Sequence, residues 1–234
     1  MAFLDTSGAF DNVLHAALFV KLHDFGIRGK TLRTLIHCYT DIESIVVANG
    51  MPSPPFPVLQ GVRQGGVLST WIYLLFINKL LCDLEDSPHG SFIGDMKTGN
   101  PTLADDLTLV SINRPSLQAQ INIVTTYAHT WGYKLNESKC AYVIFGERKC
   151  NNDTVMINES ILRSSESATH VGIVLHKSFK CSSAVDARAR KGRSSVFSLM
   201  TIRESNFDVN PLVLSDLVLK CAKISHIDIV LTWY

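Results

Sequence analysis

An α+β domain is the fold class that this 234-residue sequence predicts, and three observations predict it. Short runs of β-formers are bounded by turn signals. The clearest is Thr102-Leu103-Ala104-Asp105-Asp106-Leu107-Thr108-Leu109-Val110, where two carboxylates sit between Leu-, Thr- and Val-rich arms as at the tip of a tight hairpin. Longer stretches carry apolar residues at helical spacing, as in Val13, Leu14, Ala17, Leu18 and Leu22. The composition, 46% apolar and 18% charged, is that of a globular chain, long enough for one sizeable domain or one domain with a small appendage.

In chain order, Ala2-Phe3-Leu4 reads as a strand ending at Asp5. Thr6-Ser7-Gly8 turns the chain, and a helix follows, capped by Asp11 or Asn12 and closed by Gly26. Residues 30–39 form a second amphipathic helix, with Leu32, Leu35, Ile36 and Tyr39 on one face. Residues 44–48 are a β-branched strand ended by the Asn49-Gly50 turn, and the Pro-rich 51–58 is a loop or edge segment. Gln60-Gly61-Val62-Arg63-Gln64-Gly65-Gly66 has three glycines in seven residues, which let a backbone pass close to something, while Arg63 and Gln64 offer donors to it. Ser69 can cap a helix from 70 to about 84. Residues 86–100, rich in Gly, Pro, Ser and Asn, read as a loop before the Asp105-Asp106 hairpin. Pro115 suits the first turn of a helix running to about Trp131. Strands follow at 140–145 and 170–175, with a hairpin around Asn158-Glu159-Ser160. From Ser183 the pattern is helical, with a basic cluster of Arg188, Arg190, Lys191 and Arg193 and a last helix over 211–224.

The longest apolar run, 67–81, is interrupted by Ser69, Thr70, Asn78 and Lys79 and falls short of the roughly 20 residues a membrane span needs. The start, Met1-Ala2-Phe3-Leu4-Asp5, has no basic n-region, so the expectation is an intracellular, non-secreted protein without a membrane partner. The six cysteines form no C-x-x-C pair, lie mostly in apolar segments and read as reduced, buried thiols. Residues 1–133 hold 8 basic and 11 acidic residues, net −3, and residues 134–234 hold 14 and 10, net +4. An acidic half beside a basic half suits a metal centre next to a polyanion track, although the excess is small enough for chance. Two adjacent carboxylates repel by about 4 kcal/mol at the effective dielectric of a partly buried site, which a hard cation such as Mg²⁺ offsets. Taken alone, the dipeptide is better read as a solvated Asp-Asp turn, since turns are rich in Asp.

Five motifs change that balance. Phe3-Leu4-Asp5-Thr6-Ser7-Gly8-Ala9-Phe10-Asp11 is a hydrophobic strand, an Asp, three residues and Ala-Phe-Asp. Gly61-Val62-Arg63-Gln64-Gly65 precedes Leu68-Ser69, Ala104-Asp105-Asp106 forms the hairpin, Leu135-Asn136 precedes Lys139, and His170-Val171-Gly172 marks a turn. In this order and at these intervals, over residues 3 to about 175, they resemble the reverse transcriptases of non-LTR (LINE-type) retrotransposons. The resemblance implies a polymerase-type palm over residues 1–175, an antiparallel sheet backed by helices, and a partial helical thumb over 176–234.

It also implies roles. Asp5, Asp105 and Asp106 would hold two Mg²⁺ ions, with Mn²⁺ as the alternative, for nucleotidyl transfer from deoxynucleoside triphosphates onto a DNA primer on an RNA template. Phe10 would lie under the incoming sugar, and Arg63, Gln64 and Gly65 would contact nucleotide and template. Lys139 would stand by the leaving phosphate. His170 and Gly172 would grip the primer, and Arg188, Arg190, Lys191 and Arg193 would bind phosphates without reading sequence. Plain alternatives stay open: Phe10 as core, the basic cluster as a solvated helix face, Asp11 as a helix cap.

The sequence departs from the pattern at Leu103, where the family carries an aromatic, at Thr70, where a Pro follows the Ser, and at His170-Val171, which replaces Tyr-Leu. The basic fingers expected before the first motif are missing, which implies a truncated copy with weak or no activity alone. The alternative is a non-catalytic nucleic-acid-binding remnant. A two-metal nuclease on an unrelated fold ranks last, since it needs the acids but neither Gln64-Gly65 nor Lys139.

Overall fold

The structure, a computed structural model, describes residues 1–146, 154–180, 185–186 and 188–194. Its centre is a five-stranded sheet ordered β13-β10-β1-β9-β8. β1 (Ala2–Leu4) lies in the middle and is buried along its whole length, as a strand covered on both faces must be. It runs antiparallel to its two neighbours: Phe3 faces Thr108 of β9 on one side and Ala141 of β10 on the other.

Local signals place most elements. α1 (His15–Asp24) buries Leu18 and Leu22 of the expected stripe, while Val13 and the exposed Leu14 precede the helix, and α2 (Gly29–Tyr39) turns its expected face of Leu32, Leu35, Ile36 and Tyr39 inward. A ribbon pairs β2 (Glu43–Ser44) with β5 (Phe56–Pro57) and β3 (Val47–Ala48) with β4 (Met51–Pro52) around the Asn49-Gly50 turn. α3 (Ser69–Asp86) precedes a hairpin of β6 (Ser91–Ile93) and β7 (Met96–Thr98). β8 (Thr102–Leu103) and β9 (Asp106–Leu109) form the carboxylate hairpin. α4 (Arg114–Trp131) is capped by Asn113, whose side chain accepts from the Ser116 N–H, carries Pro115 in its first turn and stops at Gly132.

β10 (Ala141–Tyr142) returns to the sheet. β11 (Met156–Ile157) and β12 (Ser160–Ile161) pair around Asn158-Glu159, β13 (Arg163–Ser164) joins the edge, and β14 (Ser167–His170) with β15 (Ile173–His176) makes the last hairpin. Residues 185–186 and 188–194 are helical, while the helix expected at 211–224 lies outside the described residues.

Strand periodicity divides the sheet between two environments. Ala2, Leu4, Leu107 and Leu109 point into the core with Tyr73, Phe76, Ile77, Leu80, Leu117, Ile121, Val124 and Tyr127 from α3 and α4. Each Leu, Ile, Val or Phe among them contributes about 1.5–3 kcal/mol by leaving water. Phe3 and Thr108 face the other way, toward His170: the rings of Phe3 and His170 lie 6.3 Å apart, and Thr108 Oγ1 is 3.0 Å from His170 Nδ1.

Several expectations need correction. The sheet is mixed rather than purely antiparallel, because β13 pairs with β10 in parallel. Residues 86–100 are not a plain loop. The β6–β7 hairpin there is anchored by Lys97, whose ammonium donates to the Leu84, Glu85 and Ser87 carbonyls left open at the end of α3. The strand expected over 140–145 is ordered as β only at Ala141–Tyr142, and that over 170–175 is a hairpin turning at Val171-Gly172. Neither Asp11 nor Asn12 caps α1: residues 10–14 are tied instead to 60–62, by Gly61 N–H to Val13 O and Val62 N–H to Phe10 O, so the helix begins at His15. Ser69 makes no side-chain cap, since it is itself the first helical residue and Leu68 holds the cap position. Among the described residues no helix is long and apolar enough to cross a membrane.

Candidate active site

The ends of β1 and β9 present three carboxylates. The β1–β9 register pairs Leu4 with Leu107, and one further step sets Asp5 opposite Asp106. Both, with Lys139, Thr108, Thr169 and His170, line a small polar groove of about 100 Å³. The Lys139 ammonium lies 3.5 Å from Asp5 Oδ2, while that oxygen is buried and has no hydrogen-bond partner among the described residues. The Asp5 backbone is fixed on both sides: its carbonyl accepts from Asn136 N–H at 2.9 Å, and its N–H donates to Cys140 Sγ at 3.3 Å. Burial pushes the Cys140 thiol up to about 11, so it stays protonated beside Asp5.

Asp105 goes elsewhere. Leu103 pairs with Asp106, so the two-residue tip is Ala104-Asp105, and Asp106 already belongs to the strand. Alternation then sends Asp105 to the helix side, into an open cleft of about 630 Å³ with Thr6, Phe10, Asp11, Gln64, Gly65 and Ser69. The period of two in Asp106, Thr108 against Leu107, Leu109 is the sequence signal that could have foretold this split. Ala104 holds φ +52°, a left-handed conformation costly for a residue with a Cβ.

Among the described residues no three His, Cys, Asp or Glu side chains lie close enough to hold a metal ion. The donor set nevertheless fits Mg²⁺, which binds through one or two carboxylates plus substrate phosphates, and the Asp5 oxygen that accepts no hydrogen bond is a hard ligand of that kind.

Phe10 is half-buried with its ring stacked on Tyr73, centroids 4.8 Å apart, so it is at once core and cleft wall. Gln64 donates to Asp11 Oδ1 at 2.9 Å, and Asp11, expected as a helix cap, is thus a cleft residue that sequence reasoning missed. Thr6, Tyr73 and Tyr133, which meet behind the Asp105 tip, were missed as well. Arg63 is exposed and lines neither cavity, while Gly65 does line the cleft. Gly172 sits at the β14–β15 turn with Arg188 Nη2 3.5 Å from where a Cβ would stand, which brings the basic segment against that turn. Arg190, Lys191 and Arg193 are exposed on the same helical segment.

Compared with known families, residues 1–177 match the model described as reverse transcriptase (RNA-dependent DNA polymerase). The chain belongs to the reverse transcriptase family. Within that family it is similar to the polymerases of non-LTR retrotransposons. It is 31% identical over 140 residues to the retrovirus-related Pol polyprotein of the type-2 retrotransposable element R2DM of Drosophila melanogaster, covering 60% of this chain and 13% of that protein. To the RNA-directed DNA polymerase of the mobile element jockey from the same fly it is 25% identical over 183 residues, covering 75% and 19%. It therefore spans less than a quarter of the length of these relatives.

Among solved structures, telomerase from Candida tropicalis in complex with a TWJ fragment of telomeric RNA matches 99% of this chain and 38% of its own, at a TM-score of 0.53 and 15% identity. An apo telomerase of the same organism, truncated from its C-terminal domain, matches 76% and 34% at 0.51 and 18%. Those likenesses show a reverse-transcriptase-type polymerase fold of mixed helices and sheets.

Proposed function

We propose that residues 1–175 are a polymerase palm and that a thumb begins near 176. In this reading the chain carries the site for RNA-templated DNA synthesis from deoxynucleoside triphosphates. The observation that carries it is the meeting of Asp5 and Asp106, a hundred residues apart in sequence, on one groove with Lys139 against Asp5.

Asp5 and Asp106, with Asp105 across the tip, are the groups that would hold divalent ions. The chemistry those ions supply is activation of the primer 3′-hydroxyl and neutralisation of charge on the triphosphate and departing pyrophosphate. The protein's share is positioning. The Asn136 and Cys140 contacts hold Asp5 at the strand end, so its carboxylate does not have to be reorganised when substrate arrives. Lys139, at the groove, is placed to balance phosphate charge or to give a proton to the leaving group. Phe10, backed by Tyr73, forms a firm floor to the cleft and sets the space open to the sugar. Gln64 and Gly65 line the same cleft, where a nucleotide base or template would pass. His170, which lines the groove, and the Gly172 turn next to it would meet the primer end, and the basic segment against that turn would take duplex phosphates.

Primer extension on primed RNA with Mg²⁺ tests this reading. Asp5→Asn and Asp105→Asn should each lower the rate by roughly a hundredfold or more, with folding intact by circular dichroism. Measurable extension by the parent chain that either variant matches would refute the assignment, while no extension by any of the three marks the chain as inactive alone.

A further inference from the structure

Behind the Asp105 tip, buried on the helix side of the sheet, three hydroxyls form a chain. Tyr73 of α3 donates to the Tyr133 hydroxyl at 3.3 Å, Tyr133 and Thr6 meet at 2.5 Å, and Thr6 Oγ1 donates to the Asp105 carbonyl at 3.5 Å. Donor counting leaves a single direction for all three bonds. The Asp105 carbonyl can only accept, so it takes the one Thr6 proton. Tyr133 must then donate to Thr6, and Tyr73 to Tyr133. Every proton therefore runs toward the tip, and no member can turn round without orphaning its neighbour.

Burial, the leading cause for both, pushes the phenols of Tyr73 and Tyr133 above the usual tyrosine range, and the nearby Asp105 charge adds to it. Both remain donors throughout the working pH range. The chain ends on a hairpin whose Ala104 sits in a left-handed conformation that it does not favour, a geometry that persists only where surroundings enforce it. Tyr73 also stacks on Phe10, so one residue supports both walls of the cleft.

We propose that Thr6, Tyr133 and Tyr73 are positioning residues, a buried hydroxyl strut that holds the strained Ala104-Asp105 tip so that Asp105 presents its carboxylate at the cleft. The consequence for metal binding rests on the function proposed above, while the mechanical claim does not. Thr6→Val keeps the shape and removes the proton to the Asp105 carbonyl. Thr6→Ser keeps the proton. Tyr133→Phe frees the Thr6 rotor, and Tyr73→Phe removes only the far end.

Amide hydrogen exchange of the full chain, followed on peptides spanning residues 102–107 and normalised to global unfolding, reads the strut directly. Expected is about tenfold faster tip exchange in Thr6→Val, near-parent exchange in Thr6→Ser, and decreasing effects in Tyr133→Phe and Tyr73→Phe. Unchanged tip exchange in Thr6→Val, or equal acceleration in Thr6→Ser, overturns the proposal.

Mn²⁺ binding by electron paramagnetic resonance gives the second arm. Weaker binding in Thr6→Val but not in Thr6→Ser supports the strut's role at the site. Full binding in Thr6→Val together with loss in Asp105→Asn refutes that role. Full binding in Asp105→Asn refutes the metal assignment itself, a failure distinguishable because it does not involve the strut.

Discussion

Gly61→Ala probes the joint between the first motif and the Gln64 loop. Gly61 holds φ +96°, and a Cβ there would stand 3.1 Å from Asp11 O and 3.3 Å from Asp11 Cα, both backbone atoms. Relief by a shift of the 60–62 segment is blocked on three sides. Gly61 N–H donates to Val13 O at 2.8 Å, His15 Nε2 lies 2.8 Å from Gly61 O, and Val62 N–H donates to Phe10 O at 2.7 Å. The left-handed conformation alone costs an alanine about 1–2 kcal/mol. With the backbone contact added, the loss is roughly 2–4 kcal/mol. For a domain of this size that lowers Tm by about 5–15 °C.

Gly26→Ala is the control, since Gly26 has φ +104° with nothing within 4 Å of the added Cβ. It should lose only the conformational part, about 1–2 kcal/mol. Scanning calorimetry of both variants checks the difference. Because the crowded atoms belong to Asp11, which holds Gln64, Gly61→Ala should also raise the nucleotide KM, and Gly26→Ala should not. Equal Tm losses in the two variants would refute the steric argument and leave only the dihedral.

Three further outcomes follow from other parts of the molecule. Burial, as the leading cause, raises the phenols of Tyr73, Tyr127 and Tyr133. A folded-state value raised above the unfolded one gives stability that is complete below the unfolded value and is lost progressively as pH rises from there through the folded value. Stability should therefore fall from about pH 10 upward, with three of the six tyrosines ionising at 295 nm only on unfolding; ionisation of all six before loss of helical signal would contradict this. Lys97→Met removes the donor to three carbonyls at the end of α3 and should cost about 1–3 kcal/mol by urea unfolding with an unchanged m-value. Arg190→Glu with Arg193→Glu should weaken binding to primed RNA and make its dependence on salt between about 50 and 200 mM shallower, read by fluorescence anisotropy; an unchanged slope would remove this segment from the nucleic-acid track.

What the sequence alone determined about this protein is local. A strand of Ala2-Phe3-Leu4 ends at Asp5, Asn113 and Pro115 start α4 and Gly132 stops it, and two carboxylates fall at a hairpin, because propensity, capping and turn chemistry act over a few residues. The order of its five motifs sufficed to find the family.

Tertiary structure decided the rest. The strand's alternation, together with which face the helices cover, puts Asp106 in the groove with Asp5 and Asp105 in the cleft with Gln64. Asp11 finds a glutamine 53 residues away instead of the helix end next to it. Lys97 reaches back to α3, and β13 enters the sheet in parallel. Thr6, which looks like an ordinary turn residue in the sequence, becomes part of a buried chain only because Tyr133 and Tyr73 arrive from 127 and 67 positions away. These partners are chosen by burial, where an unpaired polar group is costly, and burial is a property of the packed chain that no short window of sequence contains.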